Sequence, residues 1–374
     1  DLSAIELIER VEGIGATLRA DADWDSAHLS MSLLSERLPE ALSILADVLT
    51  RPMFPSDELE RLRNERLSEL LQLRSEPRGL ADESFIRAVY TDESRYSAPL
   101  GGREESVRRI SRDDVLDYHR DFYAPARAAI IVAGDVQPEQ LENVLTSTLG
   151  SWRGVGSAAQ PRRGSAALSD RRVHVVPRAD APQSELRIGQ VGLPRSHADY
   201  FPMVVMNSIL GGVFSSRINL NLRERHAYTY SAHSVVHWRR GAGPFVVRTA
   251  VESGVTAASV REVMNEIQAV RTAPVQEGEL SLARDYLSGV FPIRFETTGA
   301  IAAALAQLVV HELPEDYYDR YQASITAVTT ADVLRVARIH LDLERMTVVA
   351  VGDPEVVREP LEKIGLGAVV VAAS

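Results

Sequence analysis

The sequence predicts a duplicated chain of mixed helices and strands, two related halves in tandem, and three observations predict it. Residues 110–135, ISRDDVLDYHRDFYAPARAAIIVAGD, lie without gaps over residues 328–353, VTTADVLRVARIHLDLERMTVVAVGD, and self-similarity at a long offset marks duplication before any motif does. Identities fall at Asp114 and Asp332, Val115 and Val333, Leu116 and Leu334, Arg120 and Arg338, Arg127 and Arg345, and at Gly134-Asp135 and Gly352-Asp353. A second match sets PSDELERLRN from residue 55 over QEGELSLARD from residue 276, so the offsets of 218 and 221 residues nearly agree. The length, 374 residues, is more than one hydrophobic core usually serves.

The elements follow in order. DLSAIELIERVEG opens the chain as an amphipathic helix. Alternation predicts strands near 16–20 and 27–34, then helical periodicity over 38–51, 55–74, 77–91 and 111–121, with the apolar run 128–134 as a closing strand. In the second half the strands are VHVV from 173, SELRIGQVGL from 184, TYSAHSVVH from 229, PFVVRTAV from 244 and RMTVVAV from 345. Helices are expected over 199–212, 216–225, 257–272, 277–296, 299–311 and 330–341. The segment 153–171, rich in Gly, Ser, Ala and Arg without a hydrophobic period, reads as a linker between a domain at 1–152 and one at 172–374. Subtracting the offset sets residue 1 against about residue 220, so the first half lacks counterparts of the second half's opening strands. A sheet short of two strands exposes unpaired backbone groups. The expectation is therefore a first domain truncated at its N-terminus, or a partner that completes the sheet.

Hydrophobic residues make up 45% and charged residues 25%, an ordinary globular balance. The net charge of −11 argues against nucleic acid or an anionic membrane as the main partner. Cysteine is absent, which removes disulfides, thiolate zinc sites and thiol nucleophiles together. No apolar run reaches the roughly 20 residues of a membrane-spanning helix, and a soluble chain, cytoplasmic or periplasmic, is expected.

Neither zinc-helix pattern, HExxH or HxxEH, occurs, nor does GxSxG, a P-loop or GxGxxG. His226, His233 and His237 form the densest histidine group; the last two, four apart on a strand, share a face but lie too far apart to chelate one ion. His28, His119, His174, His197, His311 and His340 stand alone and read as structural or surface residues. The segment 210–234, LGGVFSSRINLNLRERHAYTYSAHS, places Arg223 at a helix end and Tyr230 at a strand start, so both could converge on one groove. A guanidinium and a phenol both donate hydrogen bonds, which suits a peptide carbonyl or the oxyanion it becomes. On spacing alone, an arginine satisfying helix-end carbonyls and a tyrosine filling a sheet face is the plainer reading.

At this segment the sequence resembles the pitrilysin and insulinase family of zinc metallopeptidases, which includes the mitochondrial processing peptidase. The marks are SSRINLNLRERHAYTY from Ser215 to Tyr230, FPSDELERLR at 54–63, APLGG at 98–102 and FYAPARAAIIVAGDV at 122–136, in family order over almost the whole chain. The resemblance implies an α+β fold of two homologous domains, each an antiparallel sheet packed against helices. It implies that Arg223 and Tyr230 match the pair that holds substrate opposite the metal, and that Glu69 matches the third zinc ligand. The HxxEH helix would precede Glu69 by roughly 75 residues in the manner of inverted zincins, upstream of Asp1. Active members carry a supporting carboxylate where this chain has Leu62, and losing such a group weakens a zinc site. Taken alone, Glu69 is a solvated helix carboxylate.

The resemblance thus implies a substrate-binding, non-catalytic subunit of a heterodimeric zinc metallo-endopeptidase, binding peptide and holding no cofactor itself. Zinc would reside in a homologous partner subunit or in a missing N-terminal segment; a homodimer is the other assembly. The alternatives are an active zinc endopeptidase whose HxxEH lies upstream of Asp1, and a structural subunit of a larger complex.

Overall fold

The computed structural model describes residues 2–154, 156 and 172–372. The expected linker, 153–171, lies outside the described residues except for 153, 154 and 156.

In chain order, α1 (Ala4–Gly13) opens on a capping box in which the Ser3 hydroxyl accepts from the Glu6 N–H and the Glu6 carboxylate accepts from the Ser3 N–H. β1 (Thr17–Ala22) and β2 (Ala27–Ser32) form an antiparallel hairpin. Asp23 ties its turn by accepting from the N–H groups of Asp25 and Ser26 at 2.6 and 2.7 Å. Next come α2 (Leu38–Thr50), α3 (Ser56–Ser75), α4 (Pro77–Val89), α5 (Glu104–Arg109), α6 (Arg112–Phe122) and α7 (Pro138–Leu149). The second half runs β3 (Arg172–Pro177), β4 (Gln183–Val191), α8 (Tyr200–Asn207), α9 (Arg217–Asn219), β5 (Ala232–Val236) and β6 (Pro244–Glu252). It continues with α10 (Thr256–Thr272), α11 (Glu277–Val290), α12 (Thr298–Val310), α13 (Tyr321–Ala327), α14 (Thr330–His340), β7 (Thr347–Gly352), α15 (Pro354–Lys363) and β8 (Ala368–Val371).

The repeats reappear as matched elements. α6 and α14 keep the offset of 218 at both ends, and each opens on the same capping box, Ser111 with Asp114 and Thr329 with Asp332. α4 and α12, 13 residues each, keep the offset of 221.

By packing, the chain divides into two units, and neither is a contiguous stretch. One takes 1–69, 100–161 and 294–312; the other takes 70–99, 162–293 and 313–374. The contiguous division expected from sequence places α4 with the first half and α12 with the second, whereas packing assigns each to the other unit.

The first unit has a small core of Val11, Ile14, Ala16, Ala41 and Ile44, with Leu7, Leu18, Met31 and Leu33 against it. Side chains fasten its helices: His119 Nε2 meets the Leu49 carbonyl at 2.8 Å, and Arg63 donates to the carbonyls of Val107 and Ile110. Its described sheet is the β1–β2 hairpin alone. The expected strand at 128–134 is not formed; those residues are exposed or half-buried irregular chain. The physical reason is that an extended apolar run becomes a strand only against neighbours that accept its hydrogen bonds.

The second unit is organised on a six-stranded sheet of order β5-β6-β4-β7-β3-β8. Pairing is antiparallel from β5 through β7, while β3 runs parallel to both of its neighbours, so the sheet is mixed. β7 is buried along its whole length and β4 nearly so, as expected of strands covered on both faces. Alternation along β4 explains the cover. Ser184 faces the start of α10, where the Thr256 hydroxyl donates to Ser184 Oγ at 2.8 Å. Arg187 faces α4, donating from Nε to Asp82 Oδ1 at 2.6 Å and from Nη2 to the Arg78 carbonyl at 3.2 Å. Its Nη1 reaches Glu185 Oε2 and the Leu186 carbonyl, both at 2.9 Å. A buried guanidinium is tolerated because its donors are taken. α4 adds apolar cover through Ala81, Phe85 and Val89, while α12 buries no residue fully.

Among the described residues, one helical run, Tyr200–Arg225, is long and apolar enough to cross a membrane, and half of its apolar window is buried inside the unit. It therefore serves as a core element.

Candidate functional site

The segment from α8 to β5 is built around departures from regular helix. After α8 the helix widens over 208–212, and after α9 it widens again over Leu220–Arg225; such expanded turns concentrate at functional sites. Gly211 permits the first, since a Cβ there would meet Ser234 Oγ at 2.4 Å and Ser234 N at 2.7 Å. The edge of β5 is covered by side chains rather than left open: Asn219 Oδ1 accepts from the Ala232 N–H at 3.0 Å and Asn207 Nδ2 donates to the Ser234 carbonyl at 3.3 Å. Arg217 grips Glu279 through two bonds of 2.6 and 2.7 Å. That bond first and foremost raises the arginine's pKa, and it holds the glutamate's below its ordinary value.

The chain then reverses sharply. His226 N–H returns to the Asn221 carbonyl at 3.1 Å, Ala227 N–H to that of Arg223 at 3.1 Å and Tyr228 N–H to that of Leu222 at 2.8 Å. Ala227 takes φ of 54°, a left-handed conformation that side-chain-bearing residues seldom adopt. Thr229 anchors the far side, donating to the Ala250 carbonyl at 2.7 Å and accepting from the Thr249 hydroxyl at 3.0 Å.

This frame presents three side chains to solvent. Arg223 lies with its guanidinium 4.5 Å from the Phe214 ring centroid and its Nε 3.4 Å from Glu224 Oε1; Phe214 is itself exposed. Tyr230 is 91% exposed, and its hydroxyl has no partner among the described residues. No hydrogen bond or cation–π contact joins Arg223 and Tyr230 among the described residues. Chemically the surface offers hydrogen-bond donors beside an aromatic face, a set suited to a carbonyl oxygen and its neighbouring apolar side chain.

The histidines of this region take separate partners. His226 stacks on Tyr228 at 4.9 Å and stands 3.8 Å from Glu262. His237 Nε2 lies 2.9 Å from Arg248 Nη2, and burial, then the charge of Arg248, pushes its pKa down to about 4. His233, opposite Arg248 in the β5–β6 pairing, is lowered by the same two causes.

Glu69 sits on α3 in the first unit, 48% exposed, with its carboxylate 2.7 Å from Arg66 Nη1. Leu62 on the same helix is exposed. No histidine joins Glu69 in a metal-holding group among the described residues, so the residues present around Glu69 do not fit a zinc ion. One group of different composition does occur. His197, Asp199 and His340 each offer one ligand atom within 4.8 Å of the others. This corrects the sequence expectation that His197 and His340 stand alone. The spacing His197-x-Asp199 was the visible half of the signal; its partner lies 141 residues beyond Asp199 and is brought near by the packing of α14 on α8.

Comparison with known proteins places these features. Residues 2–101 match the model of the insulinase family, peptidase family M16, and residues 109–287 match that of the peptidase M16 inactive domain. An uncharacterized zinc protease of Bacillus subtilis is 24% identical over 305 residues, covering 80% of this chain and 71% of the relative. The mitochondrial-processing peptidase subunit alpha of Bos taurus is 25% identical over 365 residues, covering 89% and 67%. Among solved structures, a peptidase M16 inactive domain from Pseudomonas fluorescens superposes with a TM-score of 0.87 at 23% identity, covering 94% of this chain and 84% of that one.

Proposed function

Because the chain belongs to the M16 peptidase family, we propose that it is a substrate-binding, non-catalytic subunit of a heterodimeric zinc metallo-endopeptidase, its homologous partner carrying the metal. The observation that carries this reading is the exposed Tyr230 hydroxyl, seven residues after an Arg223 whose guanidinium lies on the exposed Phe214 ring. There a tyrosine with an unpaired hydroxyl is held in full solvent by a chain whose own backbone is tied down on both sides. The match of residues 109–287 to an inactive-domain model supports the non-catalytic part, and the relative named as a processing-peptidase subunit supports the paired assembly. In this reading Arg223 and Tyr230 donate to the carbonyl oxygen of the peptide bond to be cut. Fixed donors matter most as that oxygen gains charge, while Phe214 keeps the guanidinium from straying.

The test is hydrolysis of an unstructured peptide by this chain mixed with a zinc-bearing homologue. Wild-type chain is expected to raise the partner's rate, and Arg223→Ala to remove most of that gain; a gain unchanged by Arg223→Ala sinks the proposed role. A second reading, an active zinc endopeptidase whose zinc helix is not among these residues, is favoured by the name of the Bacillus subtilis relative. An HxxEH motif in the coding sequence upstream of Asp1 would favour it over the first.

A further inference from the structure

We propose that His197, Asp199 and His340 form a binding site for a divalent transition-metal ion on the second unit, an inference independent of the peptidase reading. One nitrogen from each imidazole and one carboxylate oxygen lie within 4.8 Å of one another. His340 Nε2 is 2.7 Å from Asp199 Oδ2, and His197 Nδ1 is 4.0 Å from the same oxygen. Ligand atoms held about 2.0–2.1 Å from a tetrahedral zinc stand roughly 3.3 Å apart. The two separations bracket that value, and the third, between the imidazole nitrogens, is within 4.8 Å, so closing the set takes side-chain shifts of up to about 1.5 Å in that separation.

The placement of Asp199 is the second observation. It occupies the position before α8 where an aspartate ordinarily accepts from the helix's first N–H groups, yet its carboxylate makes no such bond. Instead one oxygen meets Arg335 Nη2 at 2.8 Å and the other meets His340. His340, the last residue of α14, is fixed by its own carbonyl, which accepts from Gln190 Nε2 at 2.8 Å. Burial is graded: His340 and Asp199 are 12% and 16% exposed and His197 36%, which gives two inner ligands, one outer ligand and a side open to solvent.

Two imidazoles and one carboxylate select zinc, cobalt, nickel or copper over magnesium or calcium, which prefer oxygen. Binding exchanges two existing bonds for coordination, the His340–Asp199 hydrogen bond and the one from the Asp199 N–H to His197 Nδ1 at 3.0 Å. Arg335 opposes the incoming charge, and its half-exposed side chain has room to swing out.

The experiment is titration of the full chain with Co²⁺, followed by visible absorption and by thermal melting, with Zn²⁺ as competitor. One saturable equivalent is expected, weakened at least about 10-fold by His197→Gln, the lower end of what loss of even an outer-shell partner costs. His28→Gln, on the other unit, should leave it unchanged. Arg335→Gln should tighten binding several-fold by removing the opposing cation, a change opposite to that of losing a structural ion pair. Absence of saturable binding, or binding unmoved by both His197→Gln and Arg335→Gln, overturns the site and leaves the three residues as a brace between α8 and α14.

Discussion

Residues 110–135 and 328–353 begin alike and end differently. Their helices α6 and α14 start and stop at the same offset and share the same reciprocal cap. The short turns after them, Pro125–Arg127 and Leu343–Arg345, match too. Two residues later one copy is a wholly buried strand, β7, and the other is irregular chain with Ile130 exposed. The apolar sequences IIVA and VVAV are equivalent in β propensity. What differs is company: β7 lies between β3 and β4, and no equivalents of those strands flank 128–133 among the described residues. A helix closes its hydrogen bonds within itself, so a duplicated helix keeps its form, whereas a strand is a property of its neighbours.

α4 and α12 repeat the lesson at the level of packing. α4 carries Asp82, which binds the buried Arg187, and buries three apolar residues. At the equivalent position α12 has Ala303, and it buries no residue fully.

The largest effect expected from this contrast is in amide hydrogen exchange. Amides of Val348 to Val351 should exchange only through near-global opening and those of Ile130 to Ala133 orders of magnitude faster; equal protection of the two stretches would break the comparison. Next in size, Arg187→Ala should destabilise the second unit by about 3 kcal/mol, because it empties a packed site and leaves Asp82 and Glu185 only the longer approaches of Arg248 and Arg78, at 3.6 and 3.9 Å. Ala303→Asp on exposed α12 should stay within about 0.5 kcal/mol. Chemical denaturation checks both. The smallest effect sharpens the common part: Ser111→Ala and Thr329→Ala should each cost about 1 kcal/mol, and a large difference between them would show that the two caps are not equivalent.

The helices, most second-half strands and the duplication were legible because they rest on local periodicity and caps. Three things were not. The fate of 128–134 depends on partner strands, and the packing of α4 depends on Arg187, about a hundred residues away. The wide turn at 208–212 depends on the close approach of Gly211 to Ser234 of β5, and the one at 220–225 contains no Gly or Pro to announce it. In the candidate site, the chain reversal between Arg223 and Tyr230 followed from a helix end and a strand start seven residues apart. The full exposure of Tyr230 and the placement of Phe214 against Arg223 needed the structure. The His197–Asp199–His340 group was hidden because its members are joined only by the packing of two helices.

The central functional claim concerns the Tyr230 hydroxyl, and Tyr230→Phe tests it with least disturbance, since this side chain packs against almost nothing. In the reconstituted pair, the variant should melt with wild-type chain and still associate, yet lower kcat by about 100-fold, the scale for loss of one oxyanion donor. A kcat equal to that of wild type, with the pair intact, would contradict the account.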